Sequence, residues 1–277
     1  MPKIHPTAIV HPQAKLADDV EVGPFCIVEP DVEIGAGTVL RQNVIVRRFT
    51  TIGAGNFVDA FTVLGGEPQD LKFDPGTVSY LRIGSCNVFR EGVTVSRATG
   101  PGNVTTVGSR CYWMAQSHAG HNATIEDEVV LVNNVSVGGY AVIGRKAILS
   151  GNVQVHQFTW LGEGVMTQGH AGASTHVPPY TILAGINNVA GLNAVGLRRN
   201  PEITEEDRRQ LKEAFRLTYR AGLTPAAALK EMDACTDWGP AAGKFREFVR
   251  KALTAPKPYN RGLCPHGKRS LERDWAD

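Results

Sequence analysis

Residues 4–64 decide the fold of this 277-residue chain, and they read IHPTAIVHPQAKLADDVEVGPFCIVEPDVEIGAGTVLRQNVIVRRFTTIGAGNFVDAFTVL. From Ile4 onward every sixth residue is a large aliphatic one, and no polar residue interrupts the series Val10, Leu16, Val22, Val28, Ile34, Leu40, Val46, Ile52, Val58 and Leu64. Glycine often follows these positions directly, where we expect it to supply the positive φ that turns the chain at a corner. A period of six is typical of the hexapeptide repeat of a parallel β-helix.

The repeat continues well beyond residue 64. After an interruption at residues 65–82 it resumes one register later, and Pro101 breaks it again before it runs on from Val107 to Leu161. Three short strands would close one triangular coil of 18 residues, and successive coils would stack about 4.8 Å apart. The sequence therefore predicts an all-β left-handed parallel β-helix, a hexapeptide-repeat solenoid, over residues 1–197 with an inserted loop at 65–82. An antiparallel sandwich would instead show a period of two, with turns about every 8–12 residues.

The chain changes character after residue 197, and residues 198–277 are predicted to form an α-helical C-terminal domain with an irregular tail. Thr204 and the acids after it are typical of a helix start, and Thr224-Pro225 opens a second helix. An apolar stripe from Phe245 to Leu253 indicates a third. These residues carry 17 Lys and Arg against 12 Asp and Glu. Two interpretations stay open, a solvated cap over the end of the solenoid and a docking surface for an acidic partner.

Composition excludes several classes of function. A net charge of +2 without a lysine-rich block argues against nucleic acid as a partner. No apolar run reaches the roughly 18 residues of a membrane-spanning helix, and residues 1–3 lead into patterned sequence without a signal-peptide core, so we expect a cytoplasmic protein without membrane insertion. The five cysteines are scattered and form no CxxC pair, which indicates buried thiols rather than disulfides or a zinc site.

Candidate chemistry lies where the repeat is broken or where polar side chains stack. With 18 residues to a coil, His121, Gly139 and Gln157 share one corner column, and Gly120, Gly138 and His156 share the column beside it. The backbone N–H of Gly139 would then lie on the order of 5 Å from His121. A base beside an unhindered backbone donor is the minimum arrangement for acyl transfer.

Each candidate also has a simpler interpretation. A histidine on a solenoid corner is more often a solvated surface residue than a catalyst, and Asp70 and Lys72 are individually uninformative. A metal site is a further alternative, because γ-type carbonic anhydrases share this solenoid and use three histidines. His118 and His121 are three residues apart, which does not suit three ligands to one ion, so we predict no metal and no cofactor.

Over nearly its whole length the sequence resembles the UDP-N-acetylglucosamine acyltransferases of lipid A biosynthesis. The resemblance rests on the hexapeptide repeats, the loop Gln69-Asp70-Leu71-Lys72, the segment His118-x-x-His121, the segment Val155-His156-Gln157-Phe158 and the helical end. It implies transfer of a 3-hydroxyacyl group from acyl carrier protein to the 3-position of UDP-N-acetylglucosamine. It also implies a homotrimer with sites between subunits.

The resemblance assigns roles to individual residues. His121 matches the general base and Gly139 the backbone donor to the thioester oxyanion, in agreement with the stacking argument. Residues matched to substrate binding are Gln69, Asp70, Lys72, His118, His156, Gln157, Asn193 and Arg199. Met166 and Gly169 match positions that contact the acyl chain. These binding and acyl-chain assignments rest on the resemblance alone.

Three departures from the family pattern fall in the site. Asn122 follows the base where an aspartate is usual, Tyr140 replaces a usual histidine, and Val195 replaces a common nucleotide-contacting glutamate. Loss of a carboxylate beside His121 leaves its imidazolium less stabilised. Two alternatives follow, an acyltransferase that acts on a different sugar nucleotide or an amino-sugar analogue, and a trimeric binding scaffold without activity.

Overall fold

A computed structural model describes residues 1–235 and 237–267. Within these ranges, three sheets of short strands wind as a left-handed parallel β-helix, and four helices follow it. This confirms the predicted fold class. None of the described helices combines the length and the apolar character that a bilayer crossing requires.

The strands fall into three sheets, each forming one side of a triangular solenoid. Sheet A contains β1 (Lys3–Ile4), β4 (Glu21–Val22), β7 (Val39–Leu40), β10 (Phe57–Val58), β13 (Val88–Phe89), β16 (Tyr112–Trp113), β19 (Val130–Leu131), β22 (Ile148–Leu149), β25 (Met166–Thr167), β27 (Thr181–Leu183) and β28 (Val189–Leu192). Sheet B contains β2 (Ile9–Val10), β5 (Ile27–Val28), β8 (Ile45–Val46), β11 (Val63–Gly66), β14 (Thr94–Ser96), β17 (His118–Ala119), β20 (Ser136–Val137), β23 (Gln154–Val155) and β26 (Gly172–Ala173). Sheet C contains β3 (Lys15–Leu16), β6 (Glu33–Ile34), β9 (Thr50–Ile52), β12 (Tyr80–Ile83), β15 (Val104–Val107), β18 (Thr124–Ile125), β21 (Val142–Ile143) and β24 (Trp160–Leu161).

The periodic aliphatic residues form the core. They lie in the strands, and from Val22 to Leu161 they point into the solenoid and are buried. Most paired residues are 18 apart, as in Val22 and Leu40. The offset widens to 31 between Val58 and Phe89 and to 24 between Phe89 and Trp113, so the two interruptions add 13 and 6 residues without disturbing the stack.

Most glycines that follow the periodic positions allow close contact between coils and do not supply the expected positive φ. Gly23, Gly35 and Gly53 do not have a left-handed φ. A Cβ at Gly35 would instead lie 2.7 Å from the carbonyl carbon of Gly53 in the next coil, closer than side chains tolerate. The left-handed corner positions are mostly occupied by other residues, including Asn122, Tyr140 and Phe158. The expectation of a positive φ at the first three glycines was therefore wrong, and close coil stacking explains them.

The helical part follows β28 directly and consists of α1 (Ala194–Arg199), α2 (Glu205–Tyr219), α3 (Pro225–Ala234) and α4 (Pro240–Thr254). Thr204 caps α2 in a capping box with Asp207, and Thr224 caps α3, which confirms both predicted starts. The short helix α1 was not foreseen, and it spans the predicted domain boundary at residue 197. That boundary stays a prediction, and residues 268–277 of the predicted tail lie outside the described residues.

The segment after α4 returns to the solenoid. Leu263 forms a parallel bridge with His176, and the Cys264 N–H donates to the His176 carbonyl at 2.7 Å. His176 is buried, and Tyr259 stacks on Trp160. The segment Tyr259–Cys264, called the C-terminal strap below, therefore covers the end of sheet C.

Candidate active site

The corner between sheets B and C carries most of the predicted site residues. Both interruptions leave the solenoid here, one between β11 and β12 and the other between β14 and β15. His121 lies at the same corner between β17 and β18, Gly139 between β20 and β21, and His156 between β23 and β24. The parallel register places these turns one above another, as the stacking argument predicted.

His121 packs directly on Gly139. A Cβ built at Gly139 would lie 2.8 Å from both Cε1 and Nε2 of the imidazole, so glycine alone leaves room for the ring. Gly139 is buried, and among the described residues its N–H has no hydrogen-bond acceptor. Buried backbone donors are nearly always paired, so a free one beside a histidine is suited to an incoming oxygen.

A network of neutral groups surrounds the other edge of the His121 ring. Its Nδ1 lies 2.9 Å from the Asn122 side-chain oxygen, which also accepts from the Thr99 N–H at 2.9 Å and the Thr99 hydroxyl at 2.8 Å. The Tyr140 hydroxyl lies 2.9 Å from the Thr99 hydroxyl. Tyr140 meets the His121 ring edge-on at 5.4 Å and stacks on Phe158 at 4.8 Å.

His118 lies near His121, in strand β17. Its Nδ1 is 2.8 Å from the Thr94 hydroxyl. Burial lowers the pKa of His118, the nearby His121 lowers it further, and a hydrogen bond to Thr94 opposes both. His118 is therefore neutral near pH 7 and is suited to hydrogen bonding rather than to carrying charge.

The first inserted loop presents Gln69, Asp70 and Lys72 to solvent at the same corner. Asp70 Oδ1 accepts from the Lys72 N–H at 3.0 Å. Arg97, from the second interruption, lies beneath the loop and is 2% exposed. Its guanidinium donates to the Thr77 carbonyl at 2.6 Å and thereby fixes the return of the loop to the solenoid.

His156 and Gln157 are exposed on the next coil. The guanidinium of Arg261, carried there by the C-terminal strap, donates to the His156 ring and to the Gln157 carbonyl. The helical end of the chain thus reaches the corner that holds His121.

The remaining predicted residues lie elsewhere on the solenoid. Met166 lies on sheet A, and Gly169 lies at the corner between sheets A and B. Asn193 caps α1, where its side-chain oxygen accepts from Gly196, and Arg199 ends that helix. Met166, Asn193, Val195 and Arg199 line one open groove of about 680 Å³. Within one chain, none of the described residues that line this groove lies at the His121 corner.

Sequence reasoning missed three residues that shape the corner, namely Thr99, Arg97 and Arg261. All three lie outside the hexapeptide repeat, so counting 18 residues from coil to coil does not predict that they lie beside the site residues. The break at Pro101 was the available signal, since it marked an insertion at the level of the histidines. Among the described residues no cluster of three His, Cys, Asp or Glu side chains is arranged to hold a metal ion.

Comparison with protein families gives two matches. Residues 176–264 match the model described as domain 2 of UDP-N-acetylglucosamine O-acyltransferase. Residues 13–48 match the bacterial transferase hexapeptide model. The first match spans α1 to α4 and the strap, and the second lies in the early coils.

Curated relatives cover most of the chain. An acyl-[acyl-carrier-protein]–UDP-N-acetylglucosamine O-acyltransferase of Pseudomonas entomophila is 41% identical over 251 residues, 90% of this chain and 96% of that protein. One from Stenotrophomonas maltophilia is 43% identical over 83% of this chain and 88% of that protein. The solved UDP-N-acetylglucosamine O-acyltransferase of Moraxella catarrhalis superimposes with a TM-score of 0.87 at 36% identity, covering 94% of this chain and 99% of its own.

Proposed function

Since the chain belongs to the UDP-N-acetylglucosamine O-acyltransferase family, we propose that it transfers a 3-hydroxyacyl group from acyl carrier protein to the 3-position of UDP-N-acetylglucosamine in lipid A biosynthesis. The packing of His121 on Gly139 carries this proposal, because it puts a base beside a free backbone donor. The same assignment makes the protein a cytoplasmic enzyme whose partners are the carrier protein and the sugar nucleotide.

The reaction needs one proton acceptor and one oxyanion donor. His121 Nε2 takes the proton of the sugar 3-hydroxyl as its oxygen attacks the thioester carbonyl. The Gly139 N–H binds the negative charge that develops on the carbonyl oxygen. When the tetrahedral intermediate collapses, the C–S bond breaks, and the imidazolium gives its proton to the departing thiolate, which leaves as the thiol of the carrier protein. No metal or cofactor takes part in these steps.

Loop residues Gln69, Asp70 and Lys72 lie at the same corner as His121 and would hold the sugar there. Asn193 and Arg199 would bind the nucleotide, with Met166 and Gly169 along the acyl chain. Because the groove of Asn193 and Arg199 is separated from His121 within one chain, a complete site requires a second copy. A homotrimer with each site shared by two protomers meets this requirement.

Complementation tests the shared site. His121→Ala and Arg199→Ala are each expected to be inactive, and mixed oligomers of the two should recover part of the activity, since some sites then hold both native residues. If the mixed oligomers stay inactive, or if sedimentation equilibrium shows a stable monomer at micromolar concentration, the shared site is wrong.

Asn122 favours a second candidate acceptor, the analogue that carries an amine at the sugar 3-position. The network around His121 is neutral, so it does not stabilise an imidazolium as a carboxylate would. A neutral amine is already nucleophilic and needs less help from a base than a hydroxyl does. The same residues would then form an amide instead of an ester.

The assay that separates these candidates uses purified protein, 3-hydroxyacyl carrier protein of several chain lengths, and each sugar nucleotide in turn. Product from UDP-N-acetylglucosamine is expected, and His121→Ala should lower kcat by roughly 10² or more with nucleotide affinity changed only a few-fold. His11→Ala is the matched control, because His11 lies at the same corner near the N-terminal end. Product only from the amino sugar would select the second candidate, and no product from any donor would indicate a binding scaffold.

A further inference from the structure

We propose that Thr99 and Asn122 are positioning residues that hold His121 in the tautomer with its proton on Nδ1, leaving the Nε2 lone pair free. The catalytic consequence rests on the proposed function, but the tautomer itself does not. The inference follows from five hydrogen bonds whose directions can be assigned one after another.

The Asn122 amide has a fixed orientation. The Thr99 N–H donates to its oxygen at 2.9 Å, and its nitrogen donates to the Thr99 carbonyl at 3.2 Å. A backbone N–H only donates and a backbone carbonyl only accepts, so exchanging the amide oxygen and nitrogen would break both bonds. The atom that faces His121 is therefore an oxygen.

The hydroxyl groups add to the same arrangement. The Thr99 hydroxyl lies 2.8 Å from the Asn122 oxygen and must donate to it, since an amide oxygen has no proton. That uses the single Thr99 hydroxyl proton, so the Tyr140 hydroxyl donates to Thr99 across 2.9 Å. The chain of donors runs from Tyr140 through Thr99 to the Asn122 oxygen.

The last bond sets the tautomer. His121 Nδ1 lies 2.9 Å from the Asn122 oxygen, and two atoms that both accept would repel at this distance. Nδ1 must therefore carry the proton. In a neutral imidazole the other nitrogen then has a lone pair, and this is Nε2, the atom against Gly139.

The surroundings keep the network in place. The Asn122 N–H donates to the Thr105 hydroxyl at 2.7 Å, which anchors the residue in its left-handed conformation. Tyr140 is held between the His121 ring and Phe158. The network therefore orients the His121 ring but places no negative charge beside it. A carboxylate would do both, because it would orient the ring and also stabilise the imidazolium.

Nitrogen-15 NMR of the histidine side chains in the full-length protein tests the tautomer directly. At a pH where His121 is neutral, wild type is expected to show a protonated Nδ1 and an unprotonated Nε2, with His121 identified by the signal that His121→Gln removes. Asn122→Ala removes the acceptor and should shift the neutral ring toward the Nε2–H form. Asn122→Asp keeps an acceptor and should retain the Nδ1–H form.

Two outcomes would overturn the proposal: a protonated Nε2 in the wild type, or an unchanged tautomer in Asn122→Ala. If Asn122→Ala fails to fold, Asn122→Ser serves instead, because its shorter side chain does not reach Nδ1. In activity assays Asn122→Ala should lower kcat about tenfold with little change in KM, a part of the 10²–10⁴-fold that a general base contributes. The NMR result stands whether or not acyl transfer is observed, so failure of the proposed function is recognised separately.

Discussion

His121 rests on Gly139 so closely that one added methyl group would lie 2.8 Å from its Nε2. Gly139→Ala should therefore displace the imidazole and lower kcat by about 10- to 100-fold, as a misplaced base loses part of its contribution. Thermal stability should change little, since the ring can move toward solvent. The measurement is kcat and Tm for the variant.

Gly243→Ala is the control for this change. It lies in α4, away from the solenoid corners, and an added Cβ there would meet nothing within 4 Å. Wild-type kcat in Gly139→Ala, or an equal loss in the control, would remove the His121–Gly139 contact from the mechanism.

Acyl-chain selection provides a second prediction. Gly169 is exposed, and an added Cβ would meet only the Gly151 carbonyl oxygen at 3.6 Å, so a larger residue fits without strain. Gly169→Met should shift preference toward donors shorter by several methylenes, each of which contributes about 0.8 kcal/mol when buried. Competition between donors of different length measures the shift, and an unchanged preference would exclude Gly169 from the acyl site.

Arg97 should control the loop of Gln69, Asp70 and Lys72. Burial lowers the pKa of Arg97, yet its guanidinium satisfies the Thr77 carbonyl and the Ser79 hydroxyl. Arg97→Met leaves these acceptors without donors, which typically costs about 1–3 kcal/mol. We expect a lower Tm and a higher KM for the sugar nucleotide. Arg82→Met, at an exposed position, should change neither, and equal effects of both variants would contradict the role of Arg97.

Stability should fall as the pH drops below neutral, because of His176. Its Nδ1 accepts from the Trp160 N–H at 3.1 Å, and its Nε2 lies 2.7 Å from the Tyr259 carbonyl, so the folded ring has no place for a second proton. Burial lowers its pKa from 6.5, with nearby Lys251 and Arg261 lowering it further and the bond to Tyr259 opposing them. The unfolded chain therefore binds more protons as the pH falls through 6.5, and stability is lost in that direction.

Thermal unfolding at about pH 7.5 and about pH 5.5 measures this effect. His176→Gln should lower the Tm at the higher pH but reduce the loss between the two. His118, whose pKa is also lowered, contributes in the same direction, so His118→Gln is the comparison variant. An unchanged loss in His176→Gln would show that His176 does not cause the acid sensitivity.

The solenoid could be predicted because its physics is local and repeated. One buried aliphatic residue every six positions determines strand, corner and coil, and the 18-residue stacking placed Gly139 beside His121 correctly. The predicted reason for most of the glycines after the periodic positions, a positive φ, was wrong. Contacts between the backbones of neighbouring coils explain these glycines, and such contacts depend on the stacked structure and not on local conformation.

The rest of the site depends on segments outside the repeat. Thr99 reaches Asn122 only because a six-residue insertion folds back over the corner, and Arg261 reaches His156 only because the C-terminal strap returns from α4. No periodic signal encodes either approach. Asn193 and Arg199 lie away from His121, and this separation likewise depends on which strands form each side of the solenoid.

The C-terminal strap also decides where the solenoid stops. A stack of parallel strands offers its last row of backbone groups to any further chain, and an uncovered row invites edge-to-edge aggregation. Here Leu263 and Cys264 occupy that position beside His176, and the Cys264 N–H bonds to its carbonyl. The segment that brings Arg261 to the His121 corner thus also blocks the addition of a further strand. Loss of the strap would expose this edge to pairing with another chain and would at the same time remove the contact between Arg261 and His156.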